Sequence, residues 1–467
     1  MEFRVNMDTT KILVAIWGNF SAWKDANYRY KNKIYTSSTT LPLLLDTIKP
    51  NYTYIILADT LMDKYDNIFT YQEGLARIKN EAGAFIKEKI RSYPTKLKED
   101  NINILILPAV GTFSRSRFVG NPNNFYALVY FELARNILRN LGSKLAFISE
   151  NNKPCLELYL DITHGLNFMT MMTYRAVKDI LQIIAYFCKV RLIVLNSDPL
   201  VGSGNIDLNI NEIEKINVIP AFNFYKYQQH GAKFINVNTY ANLNENRKRE
   251  IGTELSKNDS IINLKQKMSN IYAFCGAFLH GLPIYIYYFY EEITKEDIKP
   301  LINLFYSYIK LNYKETSDTQ EINIIQETNF TEEFLSLLQA YILSSLLKNI
   351  YSVEKKEELS LEDIEKVKGV FKYSRVISQR LERELSRLKD LKEKEDFDFK
   401  DYGLIAIGEG KYQGNSSFDE RNFFAHCGFG YNVIQVKKHS DSIFIRPKKG
   451  MINQIKDAIN RSLPSGG

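Results

Sequence analysis

The segment "CLELYLDITHGLNFMTMMTYRAVKDILQIIAYFCKVRLIVLNS", residues 155–197, places a long helical pattern between two short apolar runs. The runs at 155–163 and 191–197 carry β-branched and other apolar residues on both faces, which is typical of strands inside a parallel sheet. Residues 168–187 between them have the apolar spacing and the length of an α-helix. A strand, a helix and a second strand in this order predict a parallel, doubly wound sheet.

The same alternation fills the first two hundred residues. Three further strands are predicted at "KILVAIW" (11–17), "TYIILAD" (53–59) and "INILILP" (102–108). Three helical patterns follow or precede them, at 41–49, 73–90 and 124–141. We therefore predict an N-terminal, Rossmann-like α/β domain with a mainly parallel sheet, over residues 1–215.

After about residue 216 the pattern changes. An asparagine-rich passage predicts a linker or connecting element over 216–260, and a helical domain is predicted over 261–467. Its helical patterns lie at 261–281, 331–350 and 360–395, and the last opens with Ser360 and Asp363 at capping-box spacing. The charged stretch 380–396 is interpreted as a solvated helix face, with contact to nucleic acid as the less favoured alternative. Strands are expected to be nearly absent here, apart from a β-hairpin formed by "NVIQVKK" and "SIFIRP" near the end.

The composition is that of an ordinary globular protein of two or three domains, with 467 residues and a net charge of +7. This mild basicity favours a polyanionic partner but is equally that of a slightly positive protein surface. The four cysteines are far apart and form no CxxC pair, so we expect neither a zinc site nor a disulfide framework, but reduced thiols in a cytoplasm. The sequence shows no signal peptide, and the apolar segment 274–292 is predicted to be a buried helix and not a membrane span.

Three loops follow predicted strands at the sheet edge where ligands of open α/β folds bind. They contain small residues, hydroxyl or amide groups, or arginine, which suit a phosphate-bearing ligand. The sequence lacks GxGxxG and GxxxxGK[ST], so neither a dinucleotide cofactor nor a nucleoside triphosphate is predicted. The candidate ligand-binding residues are Gly18, Asn19, Ser114, Arg115, Arg117, Thr163, His164, Gly165 and Asn167.

A structural interpretation of the third loop stays open. Gly165 and Asn167 would then form only a tight turn, with Asp161 capping it. His164 lies near Asp161, but no nucleophile or second titratable partner accompanies it, so we expect it to contact ligand and not to catalyse.

The segment "RNFFAHCGFG", residues 421–430, places an arginine and a histidine five residues apart. Ser417 and Glu420 have capping-box spacing, which predicts a short helix ending near Gly428. On such a helix Arg421 and His426 would lie about 140° and about 7.5 Å apart. A structural histidine beside a surface arginine would explain this spacing equally well.

The same two residue types suit phosphodiester cleavage. Histidine exchanges protons near neutral pH, and the arginine fork stabilises charge that develops on a phosphate. If the 2′-hydroxyl of RNA is the nucleophile, no metal is needed, and no metal-ligand cluster is predicted.

The motifs "AIWGNFSAW", "GTFSRSRFVGN" and "DITHGLNFMT" in the α/β half, and "RNFFAHCGF" in the helical half, resemble a known family. It comprises the CRISPR-associated ribonucleases of type III systems that join an N-terminal CARF domain to a C-terminal HEPN domain, particularly the Csx-type effectors. The resemblance covers nearly the whole chain and leaves out 216–260.

The resemblance implies a CARF-like sensor over 1–215 and a HEPN-like endoribonuclease over 261–467. Arg421 and His426 match the family's catalytic pair, and Asn422 matches the polar position after the arginine. Cleavage of single-stranded RNA would be metal-independent and cofactor-free, would leave a 2′,3′-cyclic phosphate, and would occur at a composite site of a homodimer or higher oligomer. The three candidate loops would bind the activator, a cyclic oligoadenylate, usually the tetra-adenylate.

Two other interpretations stay open. The same sensor could drive a non-catalytic regulator that binds DNA, although no basic recognition helix is evident. The CARF-like half could also degrade its own activator. The sequence leaves the RNA preference, the ring size of the activator and the acid or base role of His426 undetermined.

Overall fold

The computed structural model describes residues 9–65, 67–91, 101–113, 115–145, 155–200, 206–227, 233–315, 320–393, 402–404, 417–439 and 442–466. The chain forms two compact units. Unit 1 consists of Met1–Ile219, Ile235–Lys257 and Lys299–Thr331, and unit 2 consists of Pro220–Phe234, Asn258–Ile298 and Glu332–Gly467.

Unit 1 is built around a sheet whose strands precede or follow helices. The strands of its N-terminal part are β1 (Thr10–Ile16), β2 (Ala26–Tyr30), β3 (Lys33–Ser37), β4 (Tyr52–Ala58), β5 (Ile102–Leu107), β6 (Gly111–Thr112), β7 (Ser116–Val119), β8 (Leu156–Asp161), β9 (Val190–Ser197) and β10 (Asp207–Asn217). The helices are α1 (Leu41–Ile48), α2 (Tyr71–Arg91), α3 (Pro122–Leu145) and α4 (Asn167–Ile184).

Eight of these strands form the main sheet, in the order β3-β2-β10-β9-β8-β1-β4-β5. The five strands from β9 to β5 are parallel to one another, and they are the five that the sequence predicts. The central strand β1 is buried from Ile12 to Ile16, which accounts for its apolar residues on both faces. The prediction of a mainly parallel sheet is confirmed.

The outer strands were not predicted. Strand β10 pairs antiparallel with β9, and β2 and β3 form a hairpin beyond it. In β10 only Leu208 and Ile210 are buried, and the rest of the strand is exposed or half-buried.

A second sheet of unit 1 combines strands from two distant segments of the chain. The hairpin of β12 (Ile309–Glu315) and β13 (Gln320–Gln326) adds to β7, with Ile324 opposite Phe118 in parallel register. The expectation that strands are nearly absent over 261–467, apart from a late hairpin, is therefore wrong. The predicted helical domain included this hairpin, but its pairing with β7 places it in unit 1.

The predicted connecting element contains ordered structure where it is described. It includes β11 (Ile235–Val237) and α5 (Glu245–Lys257), and β11 pairs with β14 (Thr328–Phe330). A buried polar contact holds the same region, because Asn238 Nδ2 donates to Gln326 O at 2.6 Å. Residues 228–232 of this element lie outside the described residues.

The cysteine expectation is wrong for one pair. Cys155 and Cys188 form a disulfide, with 6.2 Å between their Cα atoms. They precede β8 and β9, which are adjacent and parallel, and Cys155 N donates to Lys189 O at 2.9 Å. The sheet register thus joins two cysteines that are 33 residues apart in sequence. Cys275 and Cys427 are buried free thiols.

Unit 2 is mainly helical, and α8 crosses the division between the units. Its helices are α6 (Asp259–Leu279), α7 (Pro283–Tyr288), α8 (Lys295–Ser307), α9 (Glu332–Tyr351), α10 (Leu361–Lys368), α11 (Arg375–Glu393), α12 (Glu420–Ala425) and α13 (Ile452–Ser462). Its strands are β15 (Leu359–Ser360), β16 (Gly403–Leu404), β17 (Ile434–His439) and β18 (Ser442–Pro447).

Three local predictions for unit 2 are tested by the structure. The capping box of Ser360 and Asp363 is present, and β17 and β18 form the predicted antiparallel hairpin. The apolar segment 274–292 is divided at Gly281, whose φ is +65°. No helix among the described residues has both the length and the apolar character needed to cross a membrane.

Candidate active site and ligand cleft

Helix α12 begins differently from the prediction. Asp419 is its N-cap, and the carboxylate accepts from the backbone N of Asn422 at 3.0 Å and from its Nδ2 at 2.7 Å. Glu420 forms an ion pair with Arg461 at 2.8 Å, so it does not complete a capping box with Ser417. Asp is as good an N-cap as Ser, and its position directly before the helix sets the first residue of α12.

A tight turn ends the same helix at Ala425, earlier than predicted. The left-handed residues Cys427 (φ 51°) and Gly428 (φ 81°) follow, and Gly428 N donates to Phe423 O at 2.9 Å. A Cβ atom on Gly428 would lie 2.6 Å from the Tyr285 ring, so both backbone conformation and space require glycine here.

Two phenylalanines fix the orientation of α12. Phe423 is buried with its ring centroid 5.1 Å from that of Tyr285, and the half-buried Phe424 lies 4.7 Å from the His280 ring. Arg421 and Asn422 are consequently exposed. Arg421 forms no ion pair within the described part of the chain, which leaves its guanidinium available to an anion.

His426 is held by a residue that sequence reasoning missed. Its Nδ1 lies 2.8 Å from Oε1 of Glu384, a carboxylate on α11 whose side chain is only 3% exposed. The other oxygen, Oε2, forms an ion pair with Nη1 of Arg387 at 2.6 Å, without the geometry of a hydrogen bond. Arg387 Nη2 donates in turn to the carbonyl of Phe429 at 2.9 Å.

The solvated-face interpretation of 380–396 is therefore wrong for part of α11. Glu382 is exposed as expected, but Glu384 lies between the buried residues Leu381 and Leu388 on the packed face. A glutamate at a core position of an amphipathic helix is the signal that could have indicated a buried, functional carboxylate.

Unit 1 contains a cleft of about 710 Å³ beside the carboxyl ends of its parallel strands. It is lined by the segment after β1, by the turn after β8, by the end of β9 and by β2, through Trp23, Lys24, Tyr28, Thr163, His164 and Ser197. The loops after β1 and β8 meet, since Gly18 N donates to His164 O at 2.9 Å. Two of the three predicted loops are thus brought together.

His164 lies in an aromatic environment at this cleft. Its ring stacks on Trp23 with centroids 4.0 Å apart, and Tyr28 presents a ring edge at 6.0 Å. Burial lowers the pKa of His164 from 6.5 to about 4, against the opposing effect of Asp161. Its Nε2 is buried and finds no hydrogen-bond partner among the described residues.

The turn after β8 also has the structural role left open by the sequence. Asp161 accepts from Thr163 N at 3.0 Å and from Thr40 Oγ1, and Thr163 Oγ1 accepts from Ser197 N at 3.1 Å. A Cβ on Gly165 would lie 2.3 Å from Thr170 Oγ1, so the turn is closely packed. Asn167 begins α4.

The predicted loop that follows β5 and contains Arg115 and Arg117 does not line the cleft. Arg115 and Arg117 belong to the β6–β7 region of the second sheet, where Arg115 Nη2 donates to Asp63 O at 3.3 Å. The expected convergence fails because the chain after β5 enters this second sheet. Asn19 is exposed before the 3-10 turn Phe20–Ala22, and Ser114 lies outside the described residues.

Comparisons with known proteins match both halves of the chain. Residues 12–199 match the CARF domain model, and residues 374–449 match the HEPN domain model, of the CRISPR system endoribonuclease Csx1. The second match contains α11, α12 and the His426–Glu384 contact. The CRISPR system endoribonuclease Csx1 of Methanocaldococcus jannaschii is 31% identical over 442 residues, which cover 91% of this chain and 86% of the relative. The chain belongs to the Csx1 family of CRISPR system endoribonucleases.

Proposed function

We propose that the protein is a metal-independent endoribonuclease that cleaves single-stranded RNA when a cyclic oligoadenylate binds its CARF cleft. The observation that carries this proposal is that α12 exposes Arg421, which has no ion-pair partner in the described structure. His426 follows directly after α12, with its side chain 35% exposed. Both residues lie within the part of the chain that matches the HEPN domain model. Arg421 lies on α12 and His426 is its C-cap, so one short segment offers the cation and the proton-transfer group that phosphodiester cleavage can use.

The nucleophile comes from the substrate. The 2′-oxygen of the RNA attacks the adjacent phosphorus and loses its proton, the bond from phosphorus to the 5′-oxygen breaks, and the 5′-oxygen gains a proton. The products are a 2′,3′-cyclic phosphate and a 5′-hydroxyl. His426 exchanges a proton with one of these oxygens, and Arg421 stabilises the charge on the non-bridging oxygens. In a homodimer each protomer would contribute one α12 to the composite site.

The activator is proposed to bind the cleft of unit 1. Trp23 and Tyr28 offer aromatic faces or edges to adenine, and Lys24 supplies a positive charge for phosphate. A cyclic tetra-adenylate has two-fold symmetry, which matches two identical clefts in an isologous dimer. Preferential binding to the cleavage-competent state would shift the population toward it.

One experiment tests sensor and nuclease together. Labelled single-stranded RNA is incubated in EDTA, with and without cyclic tetra-adenylate, with the wild type, His426→Ala and Arg421→Ala. We expect ligand-dependent cleavage by the wild type, and a loss of about 10²-fold or more in His426→Ala, in line with the usual contribution of a proton-transfer residue. Binding of cyclic tetra-adenylate should be unchanged in both variants.

His439→Ala is the matched control, since His439 is an exposed histidine at the end of β17. It should cleave like the wild type. Cleavage retained by His426→Ala, or abolished by EDTA in the wild type, would contradict the proposal. Ligand-dependent binding of duplex DNA without RNA cleavage would instead support the regulator hypothesis.

A further inference from the structure

The contact between α11 and His426 carries more information than the arginine and histidine alone. A carboxylate only accepts hydrogen bonds, so the 2.8 Å contact with Glu384 Oε1 requires a proton on Nδ1 of His426. In the neutral ring the other nitrogen, Nε2, is then an unprotonated acceptor. The orientation and the tautomer of the ring are therefore set by one buried side chain.

Glu384 is itself restrained. It is almost fully buried between leucines of α11, and Arg387 compensates its charge through the 2.6 Å ion pair. Arg387 is anchored to the backbone carbonyl of Phe429, three residues after His426. The guanidinium also lies over the ring of Tyr431 at 4.8 Å from its centroid. This series of contacts ties α11 to the turn that follows α12.

A buried glutamate is costly unless it is paired, and pairing with Arg387 alone would satisfy that need. Glu384 instead divides its two oxygens between Arg387 and the proton-transfer residue. We propose that Glu384 is a positioning residue of the nuclease, which holds His426 in the Nδ1-protonated tautomer so that Nε2 exchanges protons with RNA. This inference rests on the role of His426 in the proposed function.

The surroundings of His426 contain other ionisable groups. Burial raises the pKa of the neighbouring Cys427 thiol to about 12, with a smaller opposing effect of Arg380 on α11. The Tyr431 ring lies 6.3 Å from that of His426. The ionisable or charged side chains to consider in a pH profile are Glu384, Arg387, Arg380, Cys427 and Tyr431.

The test replaces Glu384 by the isosteric Gln and uses Glu382→Gln as the control. Glu382 lies two residues earlier on α11, is exposed and pairs with Lys368. In E384Q we expect kcat to fall about 10–100-fold, which is the usual effect of removing the carboxylate that orients a metal-bound histidine through its other ring nitrogen. The KM for RNA and the affinity for cyclic tetra-adenylate should stay unchanged, because the side chain of Glu384 is only 3% exposed and does not line the cleft of unit 1. E382Q should match the wild type.

Two further measurements separate positioning from a merely structural role. The pH–rate profile of E384Q should move to lower pH, because a neutral amide no longer stabilises the protonated imidazole. Histidine-selective nitrogen NMR of the wild type, assigned with His426→Ala, should show the Nδ1-protonated tautomer. Because this measurement uses the wild type, it decides the question even if E384Q fails to fold.

The outcomes are distinct. An unchanged kcat and pH profile in E384Q, or an Nε2-protonated His426 in the wild type, would overturn the inference while an inactive His426→Ala still supported the proposed function. A lower kcat with an unchanged pH profile would reduce Glu384 to a packing role and also overturn it. RNA cleavage by His426→Ala would overturn both this inference and the proposed function.

Discussion

The half-buried imidazole of His164, whose Nε2 atom is fully buried, makes the stability of unit 1 depend on pH in a specific window. Burial at the cleft, where the ring lies against Trp23, lowers the pKa of His164 from 6.5 to about 4. Between these two values the unfolded chain binds a proton at His164 that the folded unit does not. The stability of unit 1 should therefore fall as the pH falls from about 6.5 toward about 4.

The size of the effect follows from the pKa difference. Each pKa unit corresponds to about 1.4 kcal/mol, so the complete loss below pH 4 is about 3 kcal/mol. By the same relation, about 2 kcal/mol should already be lost at pH 5. The loss of stability is thus of the order of a few kcal/mol. Burial sets the sign of this pH effect, and Asp161 acts in the opposite direction.

Urea unfolding at pH 7.5 and pH 5.0 can measure this loss in unit 1 alone. Both tryptophans of the chain, Trp17 and Trp23, belong to unit 1, so their fluorescence reports on this unit. The comparison variant is His164→Phe, which keeps an aromatic ring against Trp23 but cannot titrate. The wild type should lose about 2 kcal/mol more than the variant between the two pH values. Equal losses in the two proteins would refute the lowered pKa of His164 in the folded unit.

Two more predictions concern a turn and the ligand cleft. Gly428→Ala should lower the free energy of unfolding of unit 2 by about 2–4 kcal/mol, because of the left-handed backbone and the clash with Tyr285. Gly450→Ala should change this free energy little, because nothing lies within 4 Å of the added Cβ. Equal denaturant midpoints in the two variants would disprove the prediction. Trp23→Ala should weaken cyclic tetra-adenylate binding about 5–150-fold by calorimetry, since stacking contributes about 1–3 kcal/mol per base. Arg115→Ala should change the affinity for cyclic tetra-adenylate by no more than about twofold. A larger loss of affinity would show that Arg115 belongs to the ligand site after all.

The parallel strands were predictable because each carries its own signal. Strand β1 and its neighbours are short, apolar on both faces and separated by long helical patterns, so local sequence suffices. The β12–β13 hairpin was missed although "EINIIQ" alternates apolar and polar residues, since its partner β7 lies about two hundred residues earlier. Pairing at such separation depends on tertiary packing, which no local window contains. The disulfide of Cys155 and Cys188 was missed for the same reason.

The ligand cleft was predictable only in part. The loops after β1 and β8 were expected at one sheet edge, and the parallel register of these two strands brings them together there. Trp23 and Lys24 were overlooked because an aromatic residue and a lysine in a loop have no distinctive spacing. Arg115 was misplaced because the turn chemistry of β6 and β7 did not indicate which sheet the chain would enter.

At the proposed nuclease site the sequence identifies the candidate reacting groups but not their protonation. The five-residue spacing of Arg421 and His426 is the same whichever ring nitrogen carries the proton. That choice is made by Glu384, which approaches from α11 and lies 42 residues away in sequence. Because a carboxylate fixes the proton on Nδ1, Nε2 of neutral His426 is suited to accept a proton, and the same nitrogen donates once the ring is charged. A single buried contact thus suits one histidine to serve as base in one protonation state and as acid in the other. In the proposed homodimer, a composite site with two copies of His426 would hold both states at once.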